Sequence, residues 1–145
     1  MKVRSTTALT AALAVLLSLP VALAVALPAR AKYVGKTSDG GAVSLRLNGD
    51  ATRVHRMRIH YTLTCDDGQS GETYTDILNP RVRKDRTFVA SGTYTGSSDG
   101  SKNTFKLSGK LWTKRASGKF SLKATGTVGG TCRTGKLTWS AKRQK

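Results

Sequence analysis

The sequence has few of the residues on which metal centres depend. Its only histidines, His55 and His60, are five positions apart, and neither has a neighbouring histidine or cysteine to complete a ligand set. A zinc site draws three or four ligands from cysteine, histidine and carboxylate side chains. We therefore predict no transition-metal site and no cofactor.

The sequence motifs of common catalytic sites are missing as well. There is no Gly-x-Ser-x-Gly elbow, no phosphate-cradling glycine loop and no dinucleotide-binding fingerprint. An amphipathic helical pattern is also missing after the first 31 residues, where apolar residues alternate with polar ones in short runs. These absences favour an all-β protein with a binding role over an enzyme.

The N-terminal segment predicts export. It starts with Met1-Lys2-Val3-Arg4, continues as an apolar run from Ala8 to Leu27 and closes with Ala29-Arg30-Ala31. A positive start, an apolar middle and an Ala-x-Ala end are features of a secretory signal peptide. A transmembrane anchor is the alternative, since about 20 apolar residues could span a bilayer. We predict a cleaved signal peptide over 1–31 and a secreted, extracellular domain over 32–145 that keeps no transmembrane anchor.

Cys65 and Cys132 are the only cysteines, and export would place them in an oxidising compartment. We predict that they form a disulfide bond. The two positions are 67 residues apart. By the chain-entropy relation, closing a loop of that length stabilises the folded state by about 4 kcal/mol.

Carboxylates are scarce, and the charge balance is strongly positive. The whole chain has 25 Lys and Arg against 8 Asp and Glu, and three of the basic residues lie in 1–31. The segment 32–145 therefore has 22 basic residues against 8 acidic ones, a net charge of +14. Such an excess attracts polyanions, although it can also serve only to keep a protein soluble. We predict an anionic envelope polymer or polysaccharide as the partner and expect no physiological role for nucleic acid.

A segment of this length supports one hydrophobic core, so we predict a single, monomeric domain. Turn signals recur about every ten residues, and Val, Ile, Thr, Tyr and Phe are grouped in short runs between them. This pattern predicts an antiparallel β-sandwich or flattened barrel of about 8 strands with one disulfide.

The clearest strand runs from Arg56 to Cys65. Met57, Ile59 and Tyr61 alternate there with polar and basic residues. Strict period-two alternation over ten positions indicates a strand with one buried face and one face in water. We therefore expect this strand to line the core and to end at the predicted disulfide.

The preceding hairpin does not keep this alternation in phase. The earlier strand buries odd positions and ends at Leu47, where Asn48-Gly49 predicts a two-residue turn. With a two-residue turn, the even-numbered Val54 would face the core. The next strand, however, buries odd-numbered positions such as Met57, so one extra residue has to be accommodated. We predict a β-bulge near His55-Arg56, or a longer loop at Asn48–Asp50.

A short element recurs five times in the second half of the chain. It consists of Ser or Thr, then Gly, then Thr or Lys, then an apolar residue, and it starts at Ser91, Ser108, Ser117, Thr125 and Thr134. Glycine within a strand marks a sharp bend or the close approach of another backbone. The repeat therefore favours closed or strongly curved sheets.

Basic side chains fall on the outer faces of two predicted strands. Cations around an exposed aromatic ring can bind an anionic polymer or stack on a sugar ring. The alternative is a solvated face whose lysines discourage edge-to-edge aggregation. Seven residues form the candidate anion-binding set: Arg56, Arg58, His60, Lys106, Lys110, Trp112 and Lys114.

Four of the eight carboxylates are close in sequence, at Asp66, Asp67, Glu72 and Asp76. Calcium binds several convergent oxygens, but the spacing does not match the twelve-residue calcium loop. These four are the only calcium candidate. Two other interpretations of these carboxylates are an acidic turn that pairs with surrounding basic groups and the acid/base pair of a glycosidase.

Three short motifs, spread over most of 32–145, resemble those of other proteins. They are Tyr33-x-Gly35-Lys36-Thr37, Cys65-x-Asp67-Gly68 and Cys132-x-Thr134-Gly135-x-Leu137-x-Trp139. Together they resemble small exported all-β domains of unassigned function from actinobacteria. The resemblance implies an all-β fold and export, and it brings no activity or site residues.

Three functional hypotheses follow. The first is a non-enzymatic extracellular or cell-envelope module that binds anionic polymers through Arg and Lys. The second is a small secreted hydrolase of polysaccharides, which would need convergent carboxylates with raised pKa values near Asp66 to Asp76. The third is a secreted protease inhibitor that presents a rigid loop near the disulfide, for instance Asp66 to Gly71.

Overall fold

The computed structural model describes residues 25–145, which form antiparallel strands and no helix. Most of the predicted signal peptide, 1–31, lies outside the described residues, so its cleavage stays a prediction. Among the described residues, no helix has the length and apolarity that crossing a bilayer requires. The strands are β1 (Lys32–Thr37), β2 (Ala42–Leu47), β3 (Val54–Cys65), β4 (Ser70–Leu78), β5 (Thr87–Thr95), β6 (Lys102–Leu111), β7 (Arg115–Thr127), β8 (Gly130–Arg133) and β9 (Leu137–Arg143).

Six of these strands close into a barrel in the order β3-β2-β1-β9-β7-β8, because β8 pairs with both β7 and β3. The other three lie outside the ring: β4 pairs with β3, β6 with β7, and β5 with β6. The prediction of an antiparallel all-β fold is therefore confirmed, and the sheet is closed rather than split into a sandwich. The strand that closes the ring, β8, has only four residues.

The predicted disulfide is present and joins directly paired positions of β3 and β8, Cys65 and Cys132. It therefore lies at the joint that closes the barrel. Since β8 has only four residues, its backbone pairing alone holds that joint by few hydrogen bonds. The covalent link reinforces the shortest strand of the ring.

Apolar side chains fill the barrel, as the alternation on β3 predicted. Met57, Ile59 and Tyr61 are each at most 2% exposed. Trp139 of β9 and Tyr33 of β1 are the largest fully buried side chains. A closed ring of alternating strands thus leaves the polar residues, and most of the basic ones, on the outside.

The predicted bulge is present at His55. Arg46 pairs with Arg56, and the next residue, Leu47, pairs with Val54, so His55 is the extra residue on β3. The loop before it is also longer than two residues, because β2 ends at Leu47 and β3 begins at Val54. The bulge and the longer loop are therefore both present, and together they account for the change in which positions are buried.

Two of the recurring glycines, on the neighbouring strands β6 and β7, leave no room for a side chain. Gly109 and Gly118 are directly paired. A Cβ atom on Gly118 would lie 1.9 Å from the carbonyl oxygen of Ser108, and one on Gly109 would lie 2.3 Å from the ring of Phe88. At Gly118 the obstacle is neighbouring backbone, one of the two causes that the recurring element predicted, whereas at Gly109 it is a packed ring.

Candidate functional site

The structure brings the basic residues of β3 together with an acidic residue of β4. Arg56 donates a hydrogen bond of 2.6 Å to the Asp76 carboxylate, and Arg58 donates two, of 2.9 and 2.8 Å. The guanidinium of Arg58 also stacks on the ring of Tyr74, 4.3 Å from its centroid, and the ring centroids of His60 and Tyr74 are 5.3 Å apart. The charges of both arginines are thus partly compensated within the protein.

The two arginines change the acidity of their partner. Hydrogen bonds from Arg58 and then from Arg56 hold the pKa of Asp76 far below its ordinary value, against the opposing effect of burial. A carboxyl group that stays ionised in this way cannot serve as the general acid of a glycosidase, which needs a raised pKa. This geometry supports the interpretation of an acidic group that pairs with basic neighbours.

Asp76→Asn is expected to lower the free energy of unfolding by about 1–2 kcal/mol at pH 7, because it removes a carboxylate shared by two arginines. The folded-state pKa lies below the unfolded value, so this stabilisation is present above the unfolded pKa of about 4. It is lost progressively as the pH falls below that value.

The check is urea denaturation of wild type and variant between pH 7 and pH 2. The matched control is Glu72→Gln on the same strand, since no hydrogen bond or ion pair of the Glu72 side chain is present among the described residues. The difference in the free energy of unfolding between wild type and Asp76→Asn should shrink as the pH falls toward 2. A difference that stays constant over this range would contradict the prediction.

The other carboxylates of the acidic stretch do not form a metal site. Asp66 accepts a hydrogen bond of 2.8 Å from Arg133 on β8, which lowers its pKa, and Asp67 accepts one from the backbone N–H of Gln69. Glu72 lies further along on β4. Within residues 25–145, no three His, Cys, Asp or Glu side chains come together as a metal ion would require. The calcium candidate is therefore not assembled in this structure.

A set of six basic side chains that have no carboxylate partner among residues 25–145 lies on the outer face of β6 and β7. It forms a zigzag across the two strands, which we call the cation row. All its members are exposed, and none takes part in the three ion pairs found among the described residues. In order along the surface, the cation row consists of Lys102, Lys123, Lys106, Lys119, Lys110 and Arg115.

Each lysine of the cation row lies directly across from a hydroxyl side chain on the paired strand. Three lysines of β6 face hydroxyls of β7, and two lysines of β7 face hydroxyls of β6. No charged residue of either sign occupies the opposing positions. The pairs are Lys102 with Thr125, Lys123 with Thr104, Lys106 with Ser121, Lys119 with Ser108, and Lys110 with Ser117.

Cations therefore alternate between the two strands at every second residue. A β-strand advances about 3.3 Å per residue, so successive cations are about 6.6 Å apart along the strand direction. Six cations at this interval extend over about 33 Å. The result is a line of positive charge rather than a compact patch.

Trp112 and Lys114 lie at one end of the cation row, in the turn between β6 and β7. The prediction placed both residues on a strand, but β6 ends at Leu111. The ring of Trp112 has Lys110 5.7 Å and Arg115 4.9 Å from its centroid, so it holds the last two cations of the row by cation–π contact. The aromatic residue thus caps the row and does not lie among its lysines.

At the other end, three row members and two further cations surround a shallow depression of about 580 Å³. They are Lys102, Lys106 and Lys123 of the row, together with Arg133 and Lys136. Strands β5, β6, β7 and β9 contain no aspartate or glutamate. Two carboxylates, Asp66 and Asp85, lie in turns near row members. Hydrogen bonds, from Arg133 and Thr87 first, lower the pKa values of these two groups, and the charges of Lys123 and Lys110 respectively add a smaller lowering.

Sequence reasoning placed Lys106 and Lys110 in the site but left out four members of the cation row. The missed residues are Lys102, Lys119, Lys123 and Arg115. A signal for them exists in the sequence, since β6 has lysines at 102, 106 and 110, and β7 has Arg or Lys at 115, 119 and 123. A four-residue interval keeps side chains on one face of a strand, but the pairing of the two strands is needed to see a single row.

A second concave surface has the opposite character. A cleft of about 620 Å³ opens between the edges of β4 and β5, with Glu72 and Asp99 in its lining and no lysine or arginine. Two tyrosines of the lining are joined through Thr75, whose hydroxyl lies 2.6 Å from the Tyr61 hydroxyl and 3.0 Å from the Tyr94 hydroxyl. Two carboxylates and no basic side chain line this cleft, so an anion is favoured on the cation row and not here.

Comparison of the chain with protein-family models, with curated proteins and with solved structures finds no match. The resemblance to exported actinobacterial domains stays a prediction, and a function has to be argued from the side chains of this chain.

Proposed function

We propose that this protein is a secreted, non-enzymatic module that binds anionic polymers through the outer face of β6 and β7. The observation that carries the proposal is the cation row, six exposed basic residues in line, none of which forms an ion pair within the described part of the chain. The arginines of β3 contribute less to such binding, because Asp76 already accepts their hydrogen bonds. The proposed site therefore differs from the predicted set: it keeps Lys106 and Lys110 and adds the four row members that the prediction left out.

The energetics favour a polymer over a small anion. A single exposed ion pair contributes about 0–1 kcal/mol, which cannot hold one isolated anion. A polyanion makes several such contacts at once and releases the counterions condensed on it. Binding should therefore be multivalent and should weaken steeply as the salt concentration rises.

The test compares two variants with the same change in net charge. The row variant is K102Q/K106Q/K119Q/K123Q. The control variant, K32Q/K36Q/K84Q/K145Q, removes four exposed lysines outside the row. Binding to purified teichoic acid, anionic vesicles and a neutral polysaccharide is measured at low and high salt.

We expect wild type to bind the anionic ligands at low salt and to release them at high salt. The row variant should lose affinity roughly 100-fold, since four contacts of about 0.7 kcal/mol each are removed. The affinity of the control variant should fall several-fold at most. Equal losses in the two variants would show that net charge alone, and no particular surface, governs the interaction.

The two alternatives lack a comparable supporting observation. The hydrolase hypothesis requires carboxyl groups with raised pKa values, whereas hydrogen bonds lower the pKa values of Asp66, Asp76 and Asp99. The inhibitor hypothesis requires a rigid exposed loop near the disulfide, but only four residues, 66–69, separate β3 from β4, and they form a tight turn in which the N–H of Gly68 donates to the Cys65 carbonyl. We therefore retain the binding module as the single proposed function.

A further inference from the structure

We infer that the polymer bound by the cation row is a polyol phosphate, a chain in which single phosphodiester groups alternate with short polyols. This inference rests on the proposed function and deepens it, since it names the chemical class of the ligand. It follows from two features of the row, the interval between its charges and the kind of residue between them.

The interval between charges selects among polyanions. Successive cations are about 6.6 Å apart along the strand direction. An extended chain of single bonds advances about 1.2 Å per bond, so a polymer with one phosphate every six backbone bonds repeats about every 7 Å. A 1,3-linked glycerol phosphate chain has this repeat. Inorganic polyphosphate has a much shorter repeat, and the carboxylates of hyaluronate are a whole disaccharide apart.

The residues between the cations select among phosphodiesters. A single-stranded nucleic acid also has six backbone bonds per phosphate, but proteins that bind it stack its bases on aromatic side chains. From Lys102 to Lys110, and at the facing positions of β7, every outward residue is Lys, Ser or Thr. Hydroxyls can donate to phosphate oxygens and can exchange hydrogen bonds with a polyol, whereas they offer no surface to a base.

The geometry also fixes the length of ligand that fills the site. Six cations in one line can contact six phosphates of one chain. For a single-stranded polyanion, the logarithm of the association constant falls with the logarithm of the salt concentration with a slope of about −0.7 per phosphate contacted. A ligand that fills the row should therefore give a slope of about −4.

The experiment measures binding of glycerol phosphate oligomers with two to ten phosphates to the protein by calorimetry, at several salt concentrations. The comparison ligands have the same number of charges: inorganic polyphosphate, hyaluronate oligomers and oligothymidylate. We expect affinity for the glycerol phosphates to rise steeply up to about six repeats and then to level off. The row variant K102Q/K106Q/K119Q/K123Q should have a smaller slope and no such plateau.

The other outcomes separate this inference from the proposed function. Equal affinity for polyphosphate or hyaluronate of matched charge would overturn the polyol phosphate but leave the polyanion-binding module intact. Tighter binding of oligothymidylate than of glycerol phosphate would overturn it in favour of a single-stranded nucleic acid. Failure of all four ligands to bind would overturn both the inference and the proposed function.

Discussion

Replacing Cys65 and Cys132 by serine is expected to lower the free energy of unfolding by about 4 kcal/mol, because the open chain regains the entropy of a 67-residue loop. The loss is large beside the total stability of a small domain, about 5–15 kcal/mol. In this fold the bond also fixes β8 to β3, so its removal weakens the joint that closes the barrel.

The measurement is urea denaturation of wild type, of wild type with reductant and of the C65S/C132S variant. Reduced wild type and the variant should agree, and both should unfold at much lower urea than oxidised wild type. Since 1 kcal/mol shifts the melting temperature of a domain of this size by roughly 4 °C or more, a fall of at least 15 °C should accompany the change. A loss below about 1 kcal/mol would mean that the bond does not restrict the unfolded chain as the loop-entropy relation requires.

The second large effect is expected at Trp139. Its side chain is 2% exposed and fills the barrel between Phe88, whose ring centroid is 6.1 Å away, and the backbone at Gly109. Trp139→Ala would leave a cavity where the glycine backbone offers no side chain to fill it. We expect a loss of about 3–5 kcal/mol in the free energy of unfolding.

Trp112 provides the matched control, since it is the only other tryptophan in the chain. Trp112→Ala removes cation–π contacts with Lys110 and Arg115 but leaves the Trp112 backbone carbonyl, which accepts a hydrogen bond from the Tyr33 hydroxyl. Its cost should be about 1 kcal/mol. Trp139→Phe should cost less than Trp139→Ala, because the buried indole N–H has no partner among the described residues. Similar losses for the two alanine variants would contradict the packing described here.

The elements that the sequence predicted correctly are those with local signals. The β3 strand follows from its alternation, the His55 bulge from a conflict of phase, and the disulfide from the only two cysteines. The β8 strand has four residues, too few to show a period, and it is a strand because β3 and β7 lie on either side of it. Closure of the barrel could not be predicted without it.

The candidate site shows the same limit. That Arg56 and Arg58 face outward follows from their parity on β3, but the partial compensation of their charges by Asp76 depends on the register between β3 and β4. The cation row likewise depends on the register that interleaves the lysines of β6 with those of β7. The net charge therefore predicts that a basic surface exists. Which basic side chains lack a carboxylate neighbour depends on how the strands pair.

The central claim is that an anionic polymer binds along β6 and β7. It is tested most directly by nuclear magnetic resonance of isotope-labelled protein titrated with a glycerol phosphate hexamer, and with inorganic polyphosphate as a second polyanion. We predict that the amide shifts that change lie in 102–110 and 115–123, and that the changes disappear at high salt. Changes centred on Arg56 to His60, on the cleft between β4 and β5, or spread evenly over the surface would contradict the claim.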